Sequence, residues 1–461
     1  MMKDHFTKLF APSLSSHLRR GWGILFAFFL FPLLSMGQGS AKCLGGDISL
    51  LSKYEDHGAN YMTTDGLPIS DMLSFFKQQG WNSMRVRLFV DPSKASTTHQ
   101  GEGVCQDLDY VARLGRRIKE AGLLFMLDFH YSDTWTDPGQ HSTPSAWTSS
   151  DPATLEQQLY DYTVSALRTL VEAGAAPDFI QPGNEITYGM LWPTGHCYPD
   201  GGDYGSGTFA NFARYLKAGI RGCREVCPDA KIVIQTEMSK SQNVTNFYKT
   251  LKAYTDDYDI IGISYYPYFH GYLATLEGVI NSLEADYPTK SIQIVETGYY
   301  HKWFPSDAKY NTTGMWPATD EGQRKFAADL VEMLNKHKSV DGLYWWWPEA
   351  NEYGLDWNTK RVTDGWYNAS LFDNETGRAL PAFEALRDFL PADAAIDDAP
   401  TTSSSSLAPS SSPYVYNLQG RRVQSNKVTK SQGNNNCQLS TVNDQLPKGA
   451  YIINGKKVVV R

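Results

Sequence analysis

Between about Leu44 and Leu390 the chain alternates short apolar, β-branched runs with longer stretches whose apolar residues recur every three to four positions. Short runs of this kind read as buried strands and the longer stretches as amphipathic helices. Eight runs stand out: Leu44–Leu50, Ser83–Val90, Leu123–Phe129, Phe179–Gly183, Lys231–Thr236, Ile260–Ser264, Ile292–Val295 and Gly342–Trp346. The stretches between them predict helices over Ile69–Gln79, Tyr110–Ala121, Leu155–Ala173, Thr208–Cys223, Asn246–Tyr254, Tyr272–Ala285 and Glu321–His337, with a last one over Pro381–Phe389.

Eight strand–helix units in a row predict an α/β fold, a (β/α)8 TIM barrel over 38–391. An open doubly wound sheet would carry a glycine-rich phosphate turn after its first strand, and Gly45-Gly46 lacks the later glycines. The barrel reading locates function at the C-terminal ends of the strands. Polar and aromatic residues crowd there: Arg85 and Arg87, Asp128 and His130, Asn184 and Glu185, Tyr265 and Tyr266, Glu296, and Trp345 to Trp347.

The ends of the chain differ from this middle. Arg19 and Arg20, the apolar run Ile24 to Leu34 and the small residues Ser35 and Gly37 make the three parts of a secretory signal peptide, here 1–37. The run is too short to span a membrane and Pro32 interrupts it, so no transmembrane span is expected after cleavage. Residues 392–413 are Ser/Thr/Pro-rich and read as a linker. Residues 414–461 hold strand-like runs (Tyr414–Leu418, Ala450–Ile453, Lys457–Val460), the last two flanking Asn454-Gly455, a hairpin signal, and so predict a small C-terminal all-β module.

Lys and Arg number 42 against 50 Asp and Glu in 461 residues. Removing 1–37 takes away Lys3, Lys8, Arg19, Arg20 and Asp4, which moves the net charge from −8 to −11. Phosphate binding needs a basic surface, so no nucleic-acid partner is expected. All six cysteines follow the signal, where disulfides are permitted, and no CxxC pair points to zinc.

Two strings carry the chemistry. Gln181-Pro182-Gly183-Asn184-Glu185-Ile186 ends the fourth strand and Ile294-Val295-Glu296-Thr297-Gly298-Tyr299 the seventh, opposite each other across a barrel mouth. A lone buried carboxylate is costly, but two facing one cleft are the equipment of glycoside hydrolysis. Asn184 is suited to hold a neighbouring carboxylate or a sugar hydroxyl. His130-x-x-Asp133 lacks the further histidines of a metal site, so His130, Asp133 and Trp135 are read as a substrate-side cluster.

Together with Gly46-Asp47-Ile48-Ser49, Arg85-Val-Arg87-Leu-Phe-Val-Asp-Pro92, Leu127-Asp-Phe-His-Tyr-Ser-Asp-Thr-Trp-Thr-Asp-Pro138 and Ser264-Tyr-Tyr-Pro267, these strings resemble the endo-β-1,4-galactanases of glycoside hydrolase family 53 over about Leu44 to Leu390. The resemblance implies a secreted, retaining endo-hydrolase of β-1,4-galactan in pectin side chains, with Glu185 as acid/base and Glu296 as nucleophile. It implies substrate-side roles for Arg87, Asp128, Asn184, Tyr266 and Trp346, with Arg87 orienting the nucleophile. The alternatives are a related barrel glycosidase acting on another β-linked glycan and a non-catalytic galactan-binding barrel.

The polysaccharide is the expected partner, the protein is expected to be a monomer, and no cofactor or metal is expected for catalysis. A structural calcium is left open, because Asp320, Asp356 and Asp364 form no EF-hand-like series. Two departures from the family are Glu237, where a histidine is common, and the run Trp345-Trp346-Trp347-Pro348-Glu349 in place of a Tyr-Trp-Glu-Pro-like string. The C-terminal module resembles the sorting domains of the Bacteroidetes type IX secretion pathway, which adds cell-surface delivery to the expectation. A sugar-binding module there would need more exposed aromatics than Tyr414, Tyr416 and Tyr451.

Overall fold

The computed structural model describes residues 42–390 apart from Thr148, Trp357 and Asp364, together with the backbone of four strands between 415 and 460. Eight parallel strands close into a barrel: β1 (Cys43–Asp47), β2 (Ser83–Leu88), β3 (Leu124–Phe129), β4 (Phe179–Pro182), β5 (Lys231–Glu237), β6 (Ile260–Tyr265), β7 (Ser291–Thr297) and β8 (Val340–Trp346). Each pairs with its sequence neighbours, and β8 pairs back onto β1. The expected barrel is therefore present, with every expected strand within a few residues of its place.

Helices α1 (Met72–Gln78), α2 (Leu108–Glu120), α3 (Pro152–Glu172), α4 (Phe209–Val226), α5 (Ser241–Leu251), α6 (Leu273–Asp286), α7 (Asp320–Leu334) and α8 (Ala382–Arg387) follow the strands in order. Several start where a side chain accepts an otherwise unpaired backbone N–H: Asp107 takes that of Tyr110, Asp151 that of Thr154 and Thr208 that of Asn211. One more short helix, Leu51–His57, and a two-stranded ribbon pairing Tyr61–Met62 with Pro68–Ile69 lie between β1 and α1. At the end of the barrel chain, Phe383 of α8 packs on Phe75, Phe76, Trp81 and Phe372 with ring centroids 5.4–6.0 Å apart.

The strands are buried on both faces, and alternation sorts their side chains. On β2, Met84, Val86 and Leu88 face the helices while Ser83, Arg85 and Arg87 face the barrel interior. The interior is layered. A small apolar cluster of Cys43, Met126, Val233, Ile260, Val295 and Tyr344 fills one level. Two positions further along the strands stand Arg85, Asp128, Gln181 and Gln235, all fully buried and joined in one hydrogen-bonded layer beneath the mouth. Close strand approach at this level needs glycine: a Cβ on Gly45 would lie 1.7 Å from the Ser83 carbonyl oxygen.

Strand β7 breaks the alternation where function needs it to. Val295 belongs to the interior cluster, so strict alternation would turn Glu296 outward. Against β6 the pairing steps from Ile263↔Ile294 to Ser264↔Glu296, and β8 shows the same shift, from Leu343↔Ile294 to Trp345↔Thr297. This one-residue bulge re-aims Glu296 into the mouth.

A separate compact unit comprises 396–461. Its described strands, Val415–Asn417, Arg422–Val423, Gly449–Ile453 and Lys456–Val460, form an antiparallel four-stranded sheet in which Ile453 pairs with Lys456. The signal peptide and linker expected at 1–37 and 392–413 lie outside the described residues, as does Asp364. Among the described residues no helix is long and apolar enough to cross a membrane, and no disulfide links Cys105, Cys197, Cys223 and Cys227.

Candidate active site

The strand ends enclose a cleft of about 830 Å³ lined by Trp135, Asn184, Glu185, Tyr266, Glu296 and Trp346, and also by Glu237, Trp347 and Trp366. It is within the size range of a ligand pocket. Glu185 and Glu296, expected from separate strands, share it.

Glu296 is held by three donors. Arg85 Nη2 and Gln235 Nε2 each lie 2.9 Å from its Oε1, and the Tyr266 hydroxyl donates to Oε2 at 3.1 Å. Burial pushes its carboxyl up, and the Arg85 guanidinium and the Gln235 amide pull it back. Among the described residues no cation pairs with Glu185. Burial first, then the charges of Glu296 and Glu237, push its carboxyl well above the ordinary range, with only the Ser264 hydroxyl acting the other way. Its backbone is itself constrained: Glu185 sits in the left-handed region at φ 45°, its N–H donating to Gln235 Oε1 at 3.1 Å. Gly183, two residues earlier, has φ 115°, and a Cβ there would come 2.7 Å from Ile186. Strain of this kind persists where the surroundings over-determine the conformation.

Arg85 organises the layer below. Its Nη2 also lies 2.9 Å from Asp128 Oδ2 and from Asn184 Oδ1, and its Nη1 donates to Asp47 Oδ2 at 2.9 Å. The expected role of Arg87 is thereby corrected. Arg87 pairs with Asp47 Oδ1 at 2.7 Å, and its guanidinium carbon sits 4.8 Å, 4.9 Å and 5.2 Å from the rings of Trp135, Trp346 and Trp347. It supports the tryptophans from beneath, and Arg85, one turn of the alternation deeper, reaches Glu296.

Asp128, His130 and Asp133 likewise stand behind the cleft wall. His130 lies 3.2 Å from Asp128 and accepts the Thr136 N–H at 3.1 Å, fixing the loop that carries Trp135. Asp133 accepts the N–H groups of Asp91 at 3.1 Å and Ser145 at 2.7 Å, tying that loop to its neighbours. Asn184 lines the cleft but spends its amide on Arg85 and on the Thr136 carbonyl, 2.7 Å away.

The tryptophan run resolves by direction. Trp345 points outward, donating to the Ala369 carbonyl at 2.9 Å, while Trp346 and Trp347 stack in the mouth with centroids 5.3 Å apart and planes 12° apart. Trp366 closes the wall edge-on to both, 6.3 Å and 6.4 Å away. Glu237 joins the mouth as a third carboxylate, hydrogen-bonded by Ser239, with its Oε1 unpartnered. Arg85 and Gln235 were legible as interior positions by alternation alone, whereas Trp366 comes from a loop with no periodic pattern. Among the described residues no group of three or more His, Cys, Asp or Glu is placed to hold a metal ion.

The family model described as Glycosyl hydrolase family 53 matches residues 43–386. An uncharacterized protein of Niallia circulans is 33% identical over 358 residues, 75% of this chain and 94% of the relative. An Aspergillus niger protein named arabinogalactan endo-beta-1,4-galactanase A is 32% identical over 334 residues, 69% of this chain and 87% of that protein. Among solved structures, the Ignisphaera aggregans GH53 catalytic domain matches with a TM-score of 0.66 at 30% identity, covering 77% of this chain and 98% of that one. A fungal β-1,4-galactanase structure matches with a TM-score of 0.62 at 27% identity, covering 76% of this chain and 99% of that one.

Proposed function

Because the chain belongs to glycosyl hydrolase family 53, we propose that it is an endo-β-1,4-galactanase that cleaves galactan with net retention, Glu185 serving as acid/base and Glu296 as nucleophile. The observation that carries these roles is the inequality of the two carboxyl environments. Arg85 stands 2.9 Å from Glu296 and, among the described residues, no cation pairs with Glu185, so the proton the pair shares rests on Glu185.

The chemistry follows from that distribution. The Glu185 carboxyl protonates the glycosidic oxygen as the bond to the anomeric carbon breaks, and the Glu296 carboxylate forms a glycosyl ester there. Glu185, now ionised, takes a proton from water, which attacks the same carbon and releases Glu296. Tyr266 holds Oε2 in place while Oε1 is tethered by Arg85 and Gln235. Trp346 and Trp347 offer a flat apolar floor to a sugar ring. No cofactor takes part, and the enzyme acts as a monomer.

Residues 1–37 would export the chain and 414–461 would deliver it to the cell surface, where a polymeric substrate is met. The test is product analysis on defined galactan, mannan and cellulose, with the first-formed anomer followed by NMR. The reading expects galactan oligomers in the β configuration. Release from mannan or cellulose but not galactan would overturn the substrate, and an α first product would overturn the nucleophile.

A further inference from the structure

Away from the mouth, on the outer helical ring, α3 and α4 enclose a second cavity of about 390 Å³. It is lined by Arg214, Lys217 and Arg221, which recur along one face of α4, by Glu156 of α3 and by Tyr254. Three cations in one cavity lining stand out in a chain whose net charge is −8.

The cavity is built and held open. Glu156 bridges both guanidinium groups, lying 3.6 Å from Arg214 and 3.1 Å from Arg221, and so fixes them on either side of Lys217. Arg221 is further seated over the Tyr160 ring at 5.6 Å. Asp151 adds a second negative charge near Arg214 and Glu225 lies behind Tyr160, but Lys217 is exposed and has no ion-pair partner among the described residues, so it is the cation left open to a ligand. Tyr254 is 40% exposed, its ring backed by Phe209 at 5.3 Å, which makes it a steadied platform beside the charges. Planar forked donors suit carboxylates, and an aromatic face suits a sugar ring.

We propose that this cavity is a second, non-catalytic site for an anionic polysaccharide, taking the carboxylates of uronate residues on Arg214, Lys217 and Arg221 and a sugar face on Tyr254. The inference rests on the galactanase reading for its choice of ligand, because pectic galactan is a neutral side chain carried on a uronate-bearing backbone. The mouth takes the neutral chain, and this cavity takes the charged one to which it is attached. Docking of the backbone holds fresh side chains near the cleft, raising their effective concentration without new contacts in the active site.

The test is affinity electrophoresis of the full chain through gels containing polygalacturonate or its fully methyl-esterified, uncharged form, with galactan hydrolysis assayed in parallel. Polygalacturonate is expected to retard the protein, added salt to relieve the retardation, and the esterified polymer to leave it unretarded. Lys217→Glu breaks no ion pair, so it should fold and hydrolyse free galactan as before while binding polygalacturonate about fivefold more weakly, the scale of one exposed charge contact. Arg214→Ala with Arg221→Ala should abolish retardation. Equal retardation of Lys217→Glu and the parent, or equal retardation by the esterified polymer, overturns the site. Galactan hydrolysis without retardation defeats this inference alone, and retardation without hydrolysis defeats only the galactanase reading.

Discussion

Arg85 and Glu296 form an ion pair of 2.9 Å inside the barrel, with the arginine wholly shut off from water. Arg87, two residues along the same strand, instead lies under Trp346 at 4.9 Å. The pair predicts different failures. Arg85→Lys keeps the charge but loses the forked geometry, and should cost about 1.5–3 kcal/mol, roughly 10- to 100-fold in kcat/KM. The shorter lysine cannot bring its charge as close to Oε1 as the guanidinium does, so its weaker pull lets the Glu296 carboxyl rise and the acidic limb of the kcat/KM profile should move to higher pH. Arg87→Lys should raise KM by loosening the tryptophan floor and leave that limb in place. The pH profiles of the two variants check this, and an unmoved limb in Arg85→Lys would refute the ion pair's role.

The two glutamates should separate by leaving group. Glu296→Ala should be inactive toward every substrate, since it removes the carboxylate that forms the glycosyl ester. Glu185→Ala should keep turning over aryl galactosides whose leaving groups need no proton, and azide should accelerate it by attacking the intermediate. In a crystal structure their carboxyl groups should lie about 5–5.5 Å apart, the spacing of retaining enzymes. Indistinguishable behaviour on activated substrates would refute the assignment.

How much of this was legible depends on what sets each position. Parallel strands buried on both faces read as apolar runs, and the polar residues at their ends mark the mouth, so Glu185 and Glu296 were visible as strand ends. What the string could not reveal was the bulge at Val295 that points Glu296 inward, because an inserted residue leaves no periodic trace. The choice between Arg85 and Arg87 failed for a related reason: alternation puts both inside, and only the depth of Asp47 and Glu296 decides which cation meets which carboxylate. The helix Leu51–His57 was missed because its seven residues are too few to display a repeat.

Trp345 and Trp346 are neighbours with opposite duties. Trp346→Ala should weaken galactan binding by about 0.5–1.5 kcal/mol, read as a KM increase of a few-fold to about tenfold, with a smaller loss of Tm than Trp345→Ala. Trp345 is 1% exposed and packs against Phe326 at 6.2 Å, so Trp345→Ala should cost about 3–5 kcal/mol of stability. Denaturant titration beside steady-state kinetics separates the two. A KM effect confined to Trp345→Ala would reverse the directions assigned to the run.

Glu349 is fully buried, with one oxygen accepting the Leu50 N–H at 3.0 Å and the other unpartnered. Burial, and then the charge of Asp47, push its carboxyl up to about 8. The folded state therefore holds the proton more tightly than the unfolded chain. The stability this lends is complete below the unfolded value near 4.5 and is lost as the pH rises through about 8. Glu349→Gln removes the titration, so its Tm relative to the parent should improve between pH 5 and pH 9, by an amount on the order of a few kcal/mol in stability. A Tm difference that does not change with pH would show that Glu349 is not titrating in this range.

The last helix sets where the barrel can be cut. Phe383, Leu386 and Phe389 are 3%, 1% and 1% exposed, and Phe383 packs against each of Phe75, Phe76, Trp81 and Phe372. Truncation after Leu390 removes none of these contacts, so the shortened chain should melt at the same temperature as the full one and hydrolyse galactan equally well. Truncation after Leu380 deletes all three side chains and uncovers Phe76 and Trp81, both at most 1% exposed. Each lost buried phenylalanine costs about 3–5 kcal/mol, against a total stability of about 5–15 kcal/mol, so that product should fail to fold. Soluble yield, Tm and galactan hydrolysis of the two truncations decide the matter. If the longer truncation also lost its fold, residues beyond Leu390 would have to contribute to the barrel, and its treatment as a self-sufficient domain would be wrong.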